Sequence, residues 1–222
     1  MISPPSTIDE LSTRAAQLAG KSIGELAQIS GVKLPESLKT KKGWQGQFLE
    51  QCLGADAGNL SKPDFSLIDV ELKTLPIDYT GKVQESTYVC VVDINNKLGV
   101  QWRESPVYKK LKHVLWIPIA KISGEPLSNS RIATPFFWQM DEAEEAALKS
   151  DWENAMELVS LGKVHQLNAR MGQILQVRPK AANSRVLTSS VDESGNPSQT
   201  LPRGFYLRPQ FTQSLLIKNL KV

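Results

Sequence analysis

Between Pro63 and Lys73 the chain reads Pro-Asp-Phe-Ser-Leu-Ile-Asp-Val-Glu-Leu-Lys, which sets Asp64, Glu71 and Lys73 close together. Two carboxylates can hold a hard divalent cation through oxygen, and a lysine beside them can orient a water or offset charge on a phosphoryl group. Hydrolysis of a phosphodiester asks for that combination: a metal to polarise the phosphoryl oxygen, a water nucleophile and positive charge for the transition state. Val70 to Thr74 alternate apolar and polar residues, the period of a half-buried strand. Glu71 and Lys73 then share one face, Val70 and Leu72 turn to the core, and the Leu72 carbonyl offers a further oxygen. A surface strand with a solvated Glu71–Lys73 pair would be spelled the same way.

A third carboxylate, Glu50, lies upstream in Gly-Trp-Gln-Gly-Gln-Phe-Leu-Glu-Gln-Cys-Leu-Gly. Trp44, Phe48, Leu49 and Leu53 recur at helical intervals, and Gly54 can end the helix. Glu50 falls off that apolar stripe, so it is either solvated or aimed at a site. Zinc is disfavoured: His113 and His165 are the only two histidines and stand far apart. Cys52 and Cys90 lack CxxC spacing and read as buried free thiols in a reducing compartment.

The 222 residues carry a formal charge of +3, with a sequence pI near 8.8. That balance permits nucleic-acid binding without requiring it, and the distribution is more informative. Lys39, Lys41 and Lys42 precede the Glu50 helix, Lys109, Lys110 and Lys112 form a second group, and Arg178, Lys180, Arg185, Arg203 and Arg208 gather near the C-terminus. The lysine groups read as phosphate contacts or as solubilising charge. Arg178-Pro179-Lys180 can donate to guanine O6 and N7, or can touch phosphates alone. Tyr206 and Tyr88 read either as strand residues capping a core or as groups facing a ligand. Acid concentrates between 141 and 157, predicting an amphipathic helix with its acidic face, Asp151 included, turned away from any polyanion. No apolar run approaches the length of a membrane span, and the N-terminus carries no basic segment leading into an apolar one, so a cytoplasmic protein is expected.

Positioning these groups requires an α/β scaffold. Helices are predicted over 7–19, from a Ser22–Glu25 capping box, around Glu50, over 106–112, over 141–160 and over 211–220. Strands are predicted over 66–75, 86–92, 114–119, 136–138 and 204–208, with a hairpin joining 164–168 to 174–178 and His165 on a strand. The mixed sheet is expected to be flanked by helices in a single domain of two lobes.

Taken together the motifs resemble the MutH family of mismatch-repair endonucleases, within the restriction-endonuclease-like PD-(D/E)xK superfamily. The resemblance covers nearly the whole chain and rests on Lys42-Gly43-Trp44 leading to Glu50, on Asp64 with Val70 to Thr74, on Leu111 to Pro118, on Arg178 to Asn183 and on Leu201 to Leu207. His113 departs mildly, standing where a basic residue is expected. The family implies a restriction-endonuclease-like fold whose two arms hold DNA in a cleft. It also implies nicking of the unmethylated strand at hemimethylated GATC, 5′ to the guanine. By this match Glu50, Asp64, Glu71 and the Leu72 carbonyl hold Mg²⁺, with Mn²⁺ or Ca²⁺ as substitutes and Ca²⁺ giving no turnover, while Lys73 assists the water. Lys42, Tyr88, Lys110, Arg178, Pro179, Lys180 and Tyr206 would meet the DNA, with Tyr206 sensing adenine methylation. The implied partners are GATC-containing double-stranded DNA and a MutL-like activating ATPase, with the chain a monomer in solution and no membrane involved. A GATC restriction enzyme cutting both strands, or a catalytically silent DNA-binding module, are the alternatives.

Overall fold

The computed structural model describes residues 2–35, 43–58, 62–94, 99–181, 183 and 185–220. Three helices open the chain: α1 (Ile8–Ala16), α2 (Ile23–Ser30) and α3 (Trp44–Leu53). Then come β1 (Glu71–Ile77), β2 (Thr87–Val91), the short α4 (Pro106–Leu111) and β3 (Val114–Ala120). Strands β4 (Arg131–Ile132) and β5 (Phe136–Trp138) precede the long α5 (Glu142–Ser160). The last third supplies β6 (Leu175–Pro179), β7 (Thr188–Val191), β8 (Pro197–Thr200), β9 (Arg203–Leu207) and α6 (Pro209–Leu220). Among the described residues no helix is long and apolar enough to cross a membrane.

Local signals explain the helix ends. The Ser22–Glu25 capping box forms as expected, and the helix it opens stops at Gly31 in the left-handed region at φ +65°. Asp141 and Glu144 make a second capping box at the start of α5. Gly54 ends α3 at φ +83°, where the Ser3 carbonyl and the Arg14 side chain approach so closely that a side chain would collide.

The chain divides into two compact units. The first comprises 1–85, 113–139 and 212–222. Its mixed sheet runs β1-β3-β4, with β5 also paired to β3; β1 is parallel to β3, and β4 and β5 are antiparallel to it. Leu115, Ile117 and Ile119 of β3 join Leu72, Phe65 and Val70 in one apolar cluster with Leu11, Ile23, Leu49 and Leu53 from α1, α2 and α3. On the opposite face of β3 the fully buried Trp116 lies against Phe136 and Trp138, with ring centroids 6.5 Å away in each case. A central strand covered on both faces must be apolar throughout, which is why Val114 to Ile119 form an unbroken apolar run.

The second unit comprises 86–112 and 140–211. Its antiparallel sheet runs β2-β9-β6, and β7 and β8 form a separate hairpin closed by a turn over 192–196. Here α5 is held by Trp102, whose indole N–H donates to Glu145 at 3.1 Å and whose ring packs on Trp152.

Several expectations are corrected. No hairpin joins 164–168 to 174–178: residues 164–166, including His165, form a 3₁₀ turn, and β6 pairs with β9 instead. Charge organises the intervening loop. The Asp151 carboxylate accepts the N–H groups of Gln173, Ile174 and Leu175 at 2.7–2.9 Å, and Arg208 donates to the carbonyls of Ala169, Met171 and Gly172 at 3.0 Å. Asp151 is therefore buried rather than part of a solvated acidic face. The first strand begins at Glu71, not 66, because Ser66 to Asp69 form a turn. Both cysteines are free thiols; Cys90 is buried but Cys52 only half-buried.

Candidate functional site

The turn before β1 sets the catalytic candidates. Phe65 and Val70 exchange backbone hydrogen bonds at 2.9 and 3.3 Å, and both side chains are in the core. Asp69 lets the chain reverse by adopting φ +58°, a region that aspartate tolerates better than most residues. Asp64 and Glu71 flank this paired Phe65–Val70 step, so residues seven apart in sequence are returned to one place. The Leu72 N–H donates to Asp64 Oδ2 at 2.8 Å, and the Asp64 carbonyl accepts from Asp56 and Ala57. Asp64 is thus held by side chain and backbone alike.

On β1, Glu71 and Lys73 share a face, and the Lys73 ammonium lies 2.6 Å from Glu71 Oε1. Leu72 turns to the apolar cluster as expected. The parallel pairing with β3 starts where the Glu71 N–H meets the His113 carbonyl at 3.0 Å and sets Lys73 opposite Trp116. Exposure is 9% for Asp64, 3% for Glu71 and 9% for Lys73. A solvated surface pair is thereby excluded, and the question becomes why three charges are buried together. Charges withdrawn from water need compensation. Two carboxylates beside one ammonium offer oxygen ligands, a donor set suited to a hard divalent cation.

Glu50 sits on α3, which packs against β1, and is half-buried, its Oε1 close to Gly46. Among the described residues no group of three or more His, Cys, Asp or Glu side chains is gathered at metal-holding distance. The local chain therefore assembles Asp64, Glu71, Leu72 and Lys73, and Glu50 is a neighbour through its helix. Lys42, Lys41 and Lys39 lie outside the described residues.

In the second unit most of the predicted DNA-contacting residues fall on one face of a single sheet. Tyr88, Tyr206 and Gln176 stand side by side across β2, β9 and β6, and Arg178 pairs with Gly204 two residues along. The opposite face of this sheet supplies buried Leu175, Val177, Phe205 and Leu207. Tyr88 and Tyr206 pack edge to face at 5.3 Å, the Arg178 guanidinium lies 5.7 Å over the Tyr206 ring, and the Lys180 ammonium lies 3.5 Å from the Tyr88 centroid. Gly204 makes room for both rings: a β-carbon there would sit 3.0 Å from Tyr88 and 3.1 Å from Tyr206. Burial pushes the Tyr88 phenol up to about 12, reinforced by Cys90 and Tyr206. Burial also raises Tyr206, against the Arg178 charge, and lowers Lys180.

Pro179 ends β6 opposite Arg203, and Lys180 N–H donates to the Pro202 carbonyl at 2.7 Å. Lys110 lies elsewhere in this unit, half-buried in the last turn of α4, a helix that packs against β2. Two residues that the sequence did not single out join the sheet face: Ser86 Oγ accepts Gln176 Nε2–H at 2.7 Å and Arg178 Nη1–H at 3.2 Å. Strand period was a usable signal for Gln176, two positions before Arg178. Nothing local pointed to Ser86, whose partners are some 90 residues away.

Comparison with known proteins gives matches over nearly the whole chain. The family described as "DNA mismatch repair enzyme MutH" matches residues 53–151, a span that contains Asp64, Glu71 and Lys73. Proteins named "DNA mismatch repair protein MutH" match almost end to end. One from Klebsiella pneumoniae subsp. pneumoniae is 47% identical over 219 residues, covering 99% of this chain and 95% of that protein. One from a Shewanella species is 48% identical, covering 98% and 97%. One from Vibrio cholerae serotype O1 is 49% identical, covering 96% of each.

Proposed function

The chain belongs to the MutH family, and on that premise we propose that it is a DNA mismatch-repair endonuclease nicking the unmethylated strand of hemimethylated GATC, 5′ to the guanine. The observation that carries this reading is the buried trio in which Lys73 lies 2.6 Å from Glu71 while Asp64 is fixed to the Leu72 amide. Burying those charges is costly, and a binding module has no use for them.

Asp64, Glu71, the Leu72 carbonyl and Glu50 would hold Mg²⁺. When bound, that ion supplies polarisation of a phosphoryl oxygen and acidification of a water. Lys73 keeps a donor beside the carboxylates, where it orients the attacking water and offsets charge on the phosphoryl oxygens. The water oxygen forms a bond to phosphorus as one phosphorus–oxygen ester bond breaks. In the second unit, Arg178 and Lys180 supply donors for guanine O6 and N7. Tyr206 meets the adenine edge, where an N6-methyl group projects into the major groove. Lys110, Lys42 and Tyr88 are assigned to the DNA backbone and neighbouring bases. A repair nickase that cut every site would be harmful, so basal activity is low and a MutL-like ATPase stimulates the monomer.

Incubation with Mg²⁺ and unmethylated, hemimethylated and fully methylated GATC plasmids, with and without that partner, tests the reading. Nicked circles from the first two substrates and none from the third are expected. Linear product from a concerted double cut, or binding without cutting, would overturn it.

A further inference from the structure

The Ser86 hydroxyl lies where two side chains of β6 converge, although Ser86 directly precedes β2 and β9 runs between those strands. Neighbouring strands are about 4.8 Å apart, so β2 and β6 are separated by about twice that distance, and only side chains can join them. They meet above the row in which Tyr88, Tyr206 and Gln176 are aligned. The Ser86 oxygen accepts one N–H from the Gln176 amide at 2.7 Å and one from the Arg178 guanidinium at 3.2 Å. A hydroxyl oxygen has two lone pairs, so both bonds can form at once.

The two partners differ in how much they need this help. Gln176 is 6% exposed and is confined by packing. Arg178 is exposed, and a long side chain in that setting samples many rotamers. Its position over the Tyr206 ring, 5.7 Å from the centroid, is one restraint, and the Ser86 bond is the directional one. Of the five N–H donors on a guanidinium, that bond uses one, and the planar fork can still present a pair to guanine O6 and N7.

We propose that Ser86 is a positioning residue for base reading: its hydroxyl, bonded also to the Gln176 amide, fixes the Arg178 guanidinium over Tyr206, and so sets sequence discrimination without touching a base. The inference rests on the DNA-reading role given to this sheet face under the proposed function. Attraction to phosphates is weakly directional, whereas a bidentate contact to a base edge is not. Loosening Arg178 therefore costs discrimination rather than general affinity.

Binding of the full chain to fluorescent duplexes, measured in Ca²⁺ at two salt concentrations, tests the proposal. The duplexes carry GATC or a scrambled site. Ser86→Ala is expected to reduce the GATC-over-scrambled affinity ratio by roughly threefold to tenfold, the scale of ordering one long side chain on binding. Scrambled-site affinity, salt slope and melting temperature should stay unchanged, and Ser86→Thr, which keeps the oxygen, should restore the ratio. An unchanged ratio in Ser86→Ala overturns the proposal. So does an equal loss on both duplexes with a shallower salt slope, which makes Ser86 a phosphate contact, or a lowered melting temperature with loss of all binding, which makes it a structural residue. A parent protein with no preference for GATC would instead sink the DNA-reading role of the whole face, and this inference with it.

Discussion

The Leu72 amide donates to Asp64 Oδ2 at 2.8 Å, so the strand that carries Glu71 and Lys73 also holds the first carboxylate in place. One backbone bond thereby converts two separate stretches of chain into a single group of charges. It also offers a way to separate the charge of Asp64 from its position.

Asp64→Asn keeps an acceptor for the Leu72 amide and removes only the charge. If Asp64 holds the metal, nicking should fall by several kcal/mol of transition-state stabilisation, roughly a thousandfold, with DNA binding and melting temperature nearly unchanged. Glu71→Ala should be as inactive. Single-turnover nicking against DNA affinity is the measurement, and either variant remaining within tenfold of the parent would make the assignment wrong.

The Glu71–Lys73 pair is buried, with side-chain exposures of 3% and 10%. Removing the ammonium takes a close charge partner from the buried Glu71 carboxylate, so Lys73→Met should lower stability by about 3 kcal/mol in urea unfolding. The double variant with Glu71→Leu should lose less than the sum of the two single losses, because no orphaned charge remains from the pair. Mg²⁺ should raise the unfolding midpoint of the parent and, more strongly, that of Lys73→Met, where two carboxylates have lost their ammonium. Midpoints unmoved by Mg²⁺ in both proteins would argue against a metal site here.

Base reading and phosphate holding separate at Lys180. As a base contact, Lys180→Ala should cost about 1–3 kcal/mol at GATC and much less at unrelated sequence. As a phosphate contact it should weaken both alike and reduce the salt slope by about one unit. Tyr206→Phe should narrow the preference for unmethylated over methylated adenine while cleavage persists. Equal losses on all sequences, with methyl discrimination intact, would return both residues to ordinary surface roles.

Alkaline titration probes the tyrosine pair. In the folded protein Tyr88 ionises near 12, above its ordinary value of 10.0, chiefly because burial disfavours the phenolate. Over pH 10–12 the unfolded chain releases this proton while the folded chain keeps it. The stability contributed by Tyr88 is therefore fully present below pH 10 and is lost as pH rises through 12. Absorbance near the tyrosinate band should show a late phase that Tyr88→Phe diminishes, the remainder coming from Tyr206, which burial also raises. An ordinary titration of all four tyrosines near 10 would contradict the burial of this ring.

Local order was legible wherever a short-range rule applied. Strand alternation put Glu71 and Lys73 on one face, the Ser22–Glu25 spacing announced its cap, and the apolar run over 114–119 announced a strand, because each depends on neighbours within a few residues. The same rules failed between 164 and 178. There the backbone N–H groups found the Asp151 carboxylate and the carbonyls found Arg208, partners too distant in sequence for periodicity to reveal. What the residue types determined by themselves was the chemistry available: oxygen ligands with a lysine, and basic groups interleaved with tyrosines. Which of these stand together was decided only in three dimensions. The Phe65–Val70 step returned Asp64 to Glu71, and the pairing of β9 between β2 and β6 laid Tyr88, Tyr206 and Arg178 on one surface. Register and burial arise from the whole chain closing its hydrogen bonds and excluding water, and no local stretch carries that information.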